Sequence, residues 1–320
     1  MKKVYARVIG VDVASEKLDL SDSKKSLKSV IDNSKSSIQR HLISKIKDVE
    51  QTLVVCEATG GYEHCLVEAC HLAGVDVCVA NPRQVRDLAK GHGYLEKTDR
   101  IDAFMIRRFG EDVDVTLTQP KTAEGKRLQA LVRRRAQVME MKLQEENRLR
   151  QTFDEFALTM IQENVLHLEN QKKRLDSEID AALAVLSEED EKPAILQSVP
   201  GVGPVTTATL LAEMPELGSI SRGALAKIVG VAPMAQQSGK TDRKRRARGG
   251  RSYVRSVLYM AASVAARHNV VIRDFYEKLL ARGKSKKLAR IACMRKLLTI
   301  LNDMVRNGTM WDAQLAITKI

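Results

Sequence analysis

The chain has 320 residues, 44% of them hydrophobic, enough for about two domains with their own cores, and this excludes wholesale disorder. Lys and Arg outnumber Asp and Glu by 53 to 40, a formal charge of +13, which favours a polyanionic partner, nucleic acid before a membrane surface. The five cysteines, Cys56, Cys65, Cys70, Cys78 and Cys293, form no CxxC pair and sit mostly among apolar neighbours, so a zinc site and a disulfide framework are excluded. No apolar run approaches the roughly 20 residues of a membrane helix, and no signal peptide is visible, so a cytoplasmic protein is expected.

The first third alternates strands and helices. Strands are predicted over 4–13, 17–21, 28–32, 52–56 and 75–80, of which the last two are continuous apolar runs bounded by turn residues, as buried strands are. A helix over 61–73 ends at Gly74, a natural C-terminal cap. Three strands in succession, then alternation, predict a mixed sheet flanked by helices.

Asp12 lies at the end of the first strand, and Glu57 closes the strand Leu53-Val54-Val55-Cys56. A carboxylate within an apolar strand is costly unless a cation accompanies it. Asp99 and Asp102, three residues apart at a helix start, share one helix face. They also suit a helix N-cap and first turn, and Glu57 also suits a turn. Converging, the four carboxylates would need hard divalent cations, and magnesium fits such all-oxygen ligands.

From 121 to 189 proline is absent, and apolar residues recur at helical spacing, including Leu149, Phe153, Phe156 and Met160, then Leu175, Ile179, Leu183 and Leu186. Two long antiparallel helices or a coiled-coil arm fit this pattern, and so does a plain helical linker packed on the body. The expected architecture is α/β plus all-α: an α/β domain over 1–118, a helical arm over 119–192, and a helical basic domain over 193–320.

In the last part, Pro200-Gly201-Val202-Gly203-Pro204 reads as a helix-hairpin-helix, with Gly201 and Gly203 opening backbone N–H groups to phosphate, or as an ordinary turn between packed helices. A loop then carries Lys240, Arg243, Lys244, Arg245, Arg246, Arg248, Arg251 and Arg255 against the single acid Asp242. Phosphate contact is the natural use of that density. Ser238-Gly239-Lys240-Thr241 imitates the end of a P-loop, but Met234 occupies the position of the required glycine, so ATP binding is not expected. A further helix, with Lys286 and Lys287 at its start, is expected to be half core and half phosphate-facing.

Gly10-Val11-Asp12, Glu57-Ala58-Thr59-Gly60-Gly61-Tyr62, Asn81-Pro82 and Lys97-Thr98-Asp99-Arg100-Ile101-Asp102-Ala103 together resemble the N-terminal domain of DEDD transposases of the insertion-sequence-110 family, which includes Piv-type DNA invertases. The run from Gly249 through Arg251, Ser252, Tyr253 and Arg255 to Ala262, with Arg282-Gly283-Lys284 after it, resembles that family's C-terminal domain. The resemblance implies a RuvC-like, ribonuclease-H-type first domain whose metal ligands are Asp12, Glu57, Asp99 and Asp102. It also implies a serine nucleophile at Ser238, otherwise a plain turn residue, and a site composed from two domains. Implied partners are donor and target DNA, a structured bridge RNA that guides the enzyme, and further copies of the chain, as a dimer or tetramer. Val231 and Val254 stand where the family commonly has leucine. Two other functions compete with a recombinase: a metal-dependent nuclease or junction resolvase using water, and a non-catalytic RNA- or DNA-binding protein.

Overall fold

The computed structural model describes residues 3–94, 96, 98–238, 241–247 and 249–314, with backbone alone for 234–238 and 241–246. The chain divides into two compact units, 1–120 and 121–320.

The first unit is built on β1 (Arg7–Val13), β2 (Lys17–Asp22), β3 (Val30–Asp32), α1 (Lys35–His41), β4 (Thr52–Glu57), α2 (His64–Leu72), β5 (Asp76–Ala80), α3 (Pro82–Gly91) and α4 (Asp99–Asp112). Its five strands run in the order β3-β2-β1-β4-β5. The first three pair antiparallel, and β1, β4 and β5 pair parallel. The mixed sheet expected from strand order is therefore present. Side chains alternate across it: Ile9, Val11, Leu18, Val54 and Cys56 pack with Ile38 of α1 and Leu66 of α2. On the opposite face Val8, Leu53, Val55 and Cys78 pack with Val85 of α3 and Met105, Ile106 and Phe109 of α4. All five cysteines are free, and all but Cys65 are buried. Burial raises the Cys70 thiol to about 12 and the Cys78 thiol to about 11, as expected of inert core residues.

The helix expected from residue 61 begins only at His64, because the preceding residues form a turn. Gly60 (φ +85°) and Gly61 (φ +149°) supply its left-handed backbone. The buried Glu63 carboxylate fastens it, accepting hydrogen bonds from Thr59 N at 3.2 Å, Thr59 Oγ1 at 2.5 Å and Gly61 N at 2.8 Å.

The second unit comprises α5 (Ala123–Leu149), α6 (Glu155–Glu189), α7 (Lys192–Gln197), α8 (Pro204–Glu213), α9 (Arg222–Val229), β6 (Pro233–Ser238), β7 (Thr241–Ala247), α10 (Ser252–His268), α11 (Val270–Ala281) and α12 (Lys286–Asn307). Helices α5 and α6 run antiparallel, joined by Arg135–Asp176 (2.5 Å), Lys142–Glu169 (2.6 Å) and Arg127–Glu178 (2.7 Å) ion pairs. One end of the pair buries Leu128, Val132, Ile179 and Leu183 against Ala208 and Ala212 of α8. At the other end the expected apolar stripe is not buried: Phe153 lies in the turn and is 94% exposed, Phe156 76% and Met160 52%. The remaining helices enclose the larger core, including Leu196, Leu210, Leu258, Leu297 and Leu301. Among the described residues, no helix is long and apolar enough to cross a membrane.

Candidate active site

Asp12 is the next to last residue of β1 and Glu57 the last of β4. These neighbouring strands run parallel, paired up to Val11 with Cys56, so the two acids stand level at the same sheet edge. By alternation both belong to the face covered by α4. What brings α4 there is Gly10. A β-carbon at that position would lie 2.7 Å from Arg107 Cα and closer still to Ala103 O and Arg107 N. Only glycine lets the helix backbone press onto β1, and this close approach delivers the first turn of α4 to Asp12.

That turn is capped by Thr98, whose Oγ1 accepts from Ile101 N at 3.3 Å. Thr98, not Asp99, is therefore the N-cap, and Asp99 and Asp102 are left as acids of the first turn. The mutual proximity registers in Asp12, whose carboxyl is raised above its ordinary value. Burial is the largest cause, followed by the negative charges of Asp102, Asp99 and Asp19. Asp12, Asp102 and Glu57 are half-buried and Asp99 is exposed.

Sequence reasoning missed two residues of this face, Asp19 and Lys17. Asp19 lies directly opposite Asp12 across the antiparallel β1–β2 pair. Lys17 Nζ contacts Asp99 Oδ2 at 2.6 Å and Asp19 Oδ2 at 3.2 Å. The alternation Lys-Leu-Asp-Leu in β2 carried the signal, since Leu18 and Leu20 face the core and their neighbours must face the other way. Asn33 was missed as well. Its Nδ2 donates to Ala14 O at 2.9 Å and Tyr62 O at 3.1 Å, tying the segments that leave β1 and β4 beside the acids.

The donor set is all carboxylate oxygen, on elements that converge, with a repulsion that a divalent cation relieves. In kind and placement it fits a hard metal ion. The side chains are not drawn into a finished nest: among the described residues, no three His, Cys, Asp or Glu stand close enough together to hold one ion.

The second unit carries the basic residues. The stretch expected to be a loop is a hairpin, with β6 pairing antiparallel to β7 and Ser238 opposite Thr241 at its tip. Its residues lack the apolar alternation from which a strand is read. Lys240 and Arg248 lie outside the described residues, as do the side chains of Ser238, Arg243, Lys244, Arg245 and Arg246. Arg251 is engaged within the protein: its guanidinium makes a bidentate pair with Glu216 at 2.6 and 2.8 Å and donates to Glu213 O at 2.7 Å. Arg255 donates to Gly249 O. Gly203 is the N-cap of α8; Gly201 has a left-handed backbone (φ +100°), and a β-carbon on it would lie 2.7 Å from the Ala265 backbone of α10, so conformation and packing both demand that glycine. Lys286 and Lys287 open α12 and are exposed.

A mixed sheet with acids at two adjacent strand ends and on the helix pressed against them defines an acid-site α/β enzyme. Two family models match in tandem, the DEDD transposase model of IS110 type over residues 9–158 and the transposase IS116/IS110/IS902 family over 194–277. The chain is 29% identical over 266 residues to a pilin gene-inverting protein of Moraxella bovis, covering 82% of each. It is 23% identical over 265 residues to the transposase for insertion sequence element IS1111A of Coxiella burnetii, covering 74% of this chain and 71% of that one. The chain belongs to the IS110-type DEDD transposases and is an enzyme of DNA transposition and recombination.

Proposed function

We propose that this transposase excises and inserts a mobile element by metal-assisted strand transfer through a serine. The placement of Asp12 and Glu57 at adjacent strand ends, with Asp99 and Asp102 in the first turn of the helix that Gly10 admits against β1, is the observation that carries this reading. The sheet order, with three antiparallel strands followed by two parallel ones, supports a RuvC-like, ribonuclease-H-type first unit. Asp12, Glu57, Asp99 and Asp102 would hold magnesium, which when bound neutralises charge on the phosphate and on the attacking and leaving oxygens. Ser238 supplies the nucleophile. Its Oγ forms a bond to phosphorus, the bond to the 3′-oxygen breaks, and the serine proton leaves while the departing oxygen gains one. The resulting phosphoserine–DNA link keeps the phosphodiester energy, so a new strand is joined without ATP. The exposed Lys286 and Lys287 and the basic hairpin suit DNA backbone and a structured guide RNA. The exposed Phe153, Phe156 and Met160 suit assembly of copies through the helical arm.

The test is a search for covalent protein–DNA adducts with element-end DNA, with and without the RNA transcribed beside the gene. Adducts are expected from the wild-type chain and absent from Ser238→Ala, which still binds nucleic acid. Cleavage without adducts would assign the attack to water. Adducts surviving in Ser238→Ala, or full activity in EDTA, would overturn the scheme.

A further inference from the structure

Lys17 stands where the carboxylates call for a cation. It opens β2, and its ammonium bridges Asp19 of that strand to Asp99 of α4 at 3.2 and 2.6 Å. Asp19 is the cross-strand neighbour of Asp12, and Asp99 lies one helical turn from Asp102. Its monovalent charge therefore joins strand to helix beside four acids, Asp12, Asp19, Asp99 and Asp102. The ammonium draws Asp99 toward β2, and the carboxylates stop short of a closed nest.

We propose that Lys17 is the resident counter-cation of this site, holding Asp99 against β2 until a divalent ion is taken up and then releasing it. The inference rests on the metal-ligand reading above. Lys17 acts through Asp99 and touches no reacting atom, so it is a positioning residue. Its side chain is 46% exposed and its pair with Asp99 57% exposed on the acid side. Such a solvent-screened contact is weak and reversible, as a displaceable cation must be. A divalent ion offers twice the charge and takes several oxygens at once, so it can displace an ammonium whose hold on Asp99 is loose.

The consequence has an uncommon sign. Removing a ligand weakens ion binding, whereas removing a competing cation strengthens it and leaves the ion-free acids to repel one another. The purified full-length chain is titrated with Mn2+ at low ionic strength, free ion being followed by electron paramagnetic resonance, and its thermal unfolding is recorded in EDTA and in saturating Mn2+. Lys17→Met and the polar Lys17→Gln are run in parallel, with Lys17→Arg as the charge-keeping variant and Asp102→Asn as the ligand control.

Both neutral variants are expected to bind Mn2+ about three- to tenfold more tightly than wild type, from the loss of one competing charge near the surface. They should melt below wild type in EDTA, with the gap closing in Mn2+, and Lys17→Arg should return both readings toward wild type. A purely structural lysine would lower the melting temperature under both conditions and leave Mn2+ affinity alone. Unchanged or weakened Mn2+ binding in the neutral variants, with wild-type binding still abolished by Asp102→Asn, would overturn this inference and spare the metal reading. Failure of the wild-type chain to bind Mn2+ in an Asp102-dependent way would overturn both.

Discussion

Replacing Gly10 with alanine would set a methyl group into the backbone of α4. The added carbon would lie 2.7 Å from Arg107 Cα, with Ala103 O and Arg107 N nearer still, whereas ordinary contact begins at 3.4 Å. Neither partner is the end of a flexible side chain, so the helix must retreat by about 1 Å, and overpacking of this kind costs about 1–3 kcal/mol. The retreat also loosens Met105, Ile106 and Phe109 against Val8, Leu53 and Val55. Asp99 and Asp102 ride on the same helix, and a displacement of about 1 Å at reacting groups can cost on the order of a hundredfold in rate. Urea unfolding and strand cleavage of element-end DNA measure the two effects. Gly110→Ala is the control. Its β-carbon would meet side-chain methyl groups, Val55 Cγ2 at 2.6 Å, Val8 Cγ1 at 2.9 Å and Leu53 Cδ2 at 3.4 Å, at the end of α4 remote from the acids. Activity should survive there. A Gly10→Ala chain with wild-type stability and cleavage, or equal inactivation by Gly110→Ala, would refute the reasoning.

Arg7 and Asp22 form a buried pair, with side chains 7% and 2% exposed. Burial works against the Asp22 charge, but hydrogen bonds from Arg7 and Ser26 outweigh it and bring the carboxyl down to about 2. A depressed folded-state value stabilises above the unfolded value of 3.8, by about 2 kcal/mol, and that stability is lost as pH falls toward 2. Arg7→Met should flatten this acid transition, and an unaltered melting profile between pH 4 and pH 2 would count against the pair. Arg251→Ala should cost about 1–3 kcal/mol by removing the bidentate partner of half-buried Glu216, a loss seen in thermal unfolding without nucleic acid; a normal melting temperature would return Arg251 to the phosphate-binding set. Phe153→Ser with Phe156→Ser should lower the mass found by light scattering if the arm assembles copies, leaving the unfolding free energy of the chain within about 0.5 kcal/mol of wild type because neither ring is buried.

The centre of the sheet was legible because β1, β4 and β5 are largely apolar runs with most residues buried, and such runs admit few other structures. Asp12 and Glu57 were legible for a related reason, since a carboxylate ending an apolar strand is costly without a purpose. The helix over the acids was visible from the Asp99 and Asp102 spacing, though its cap proved to be Thr98. The β6–β7 hairpin was not, because Gln236, Gln237 and the cations after Thr241 give no apolar face to alternate. Likewise, Arg251 counted as one more cation until Glu216, 35 positions away, was seen to hold it.

Lys17 shows where local pattern stops carrying information. The sequence places a lysine and an aspartate on one face of β2, as countless solvated strands do. What distinguishes this pair is nonlocal: the β1–β2 register sets Asp19 opposite Asp12, and Gly10 admits α4 so that Asp99 comes within 2.6 Å of the ammonium 82 positions away. Each of those facts depends on an element the others do not contain. An acid inside an apolar strand announces itself by its cost, whereas an exposed cation that balances it costs almost nothing anywhere on the surface. The carboxylate half of such a site is therefore readable from the chain, and the cation proposed to hold it becomes readable only in three dimensions.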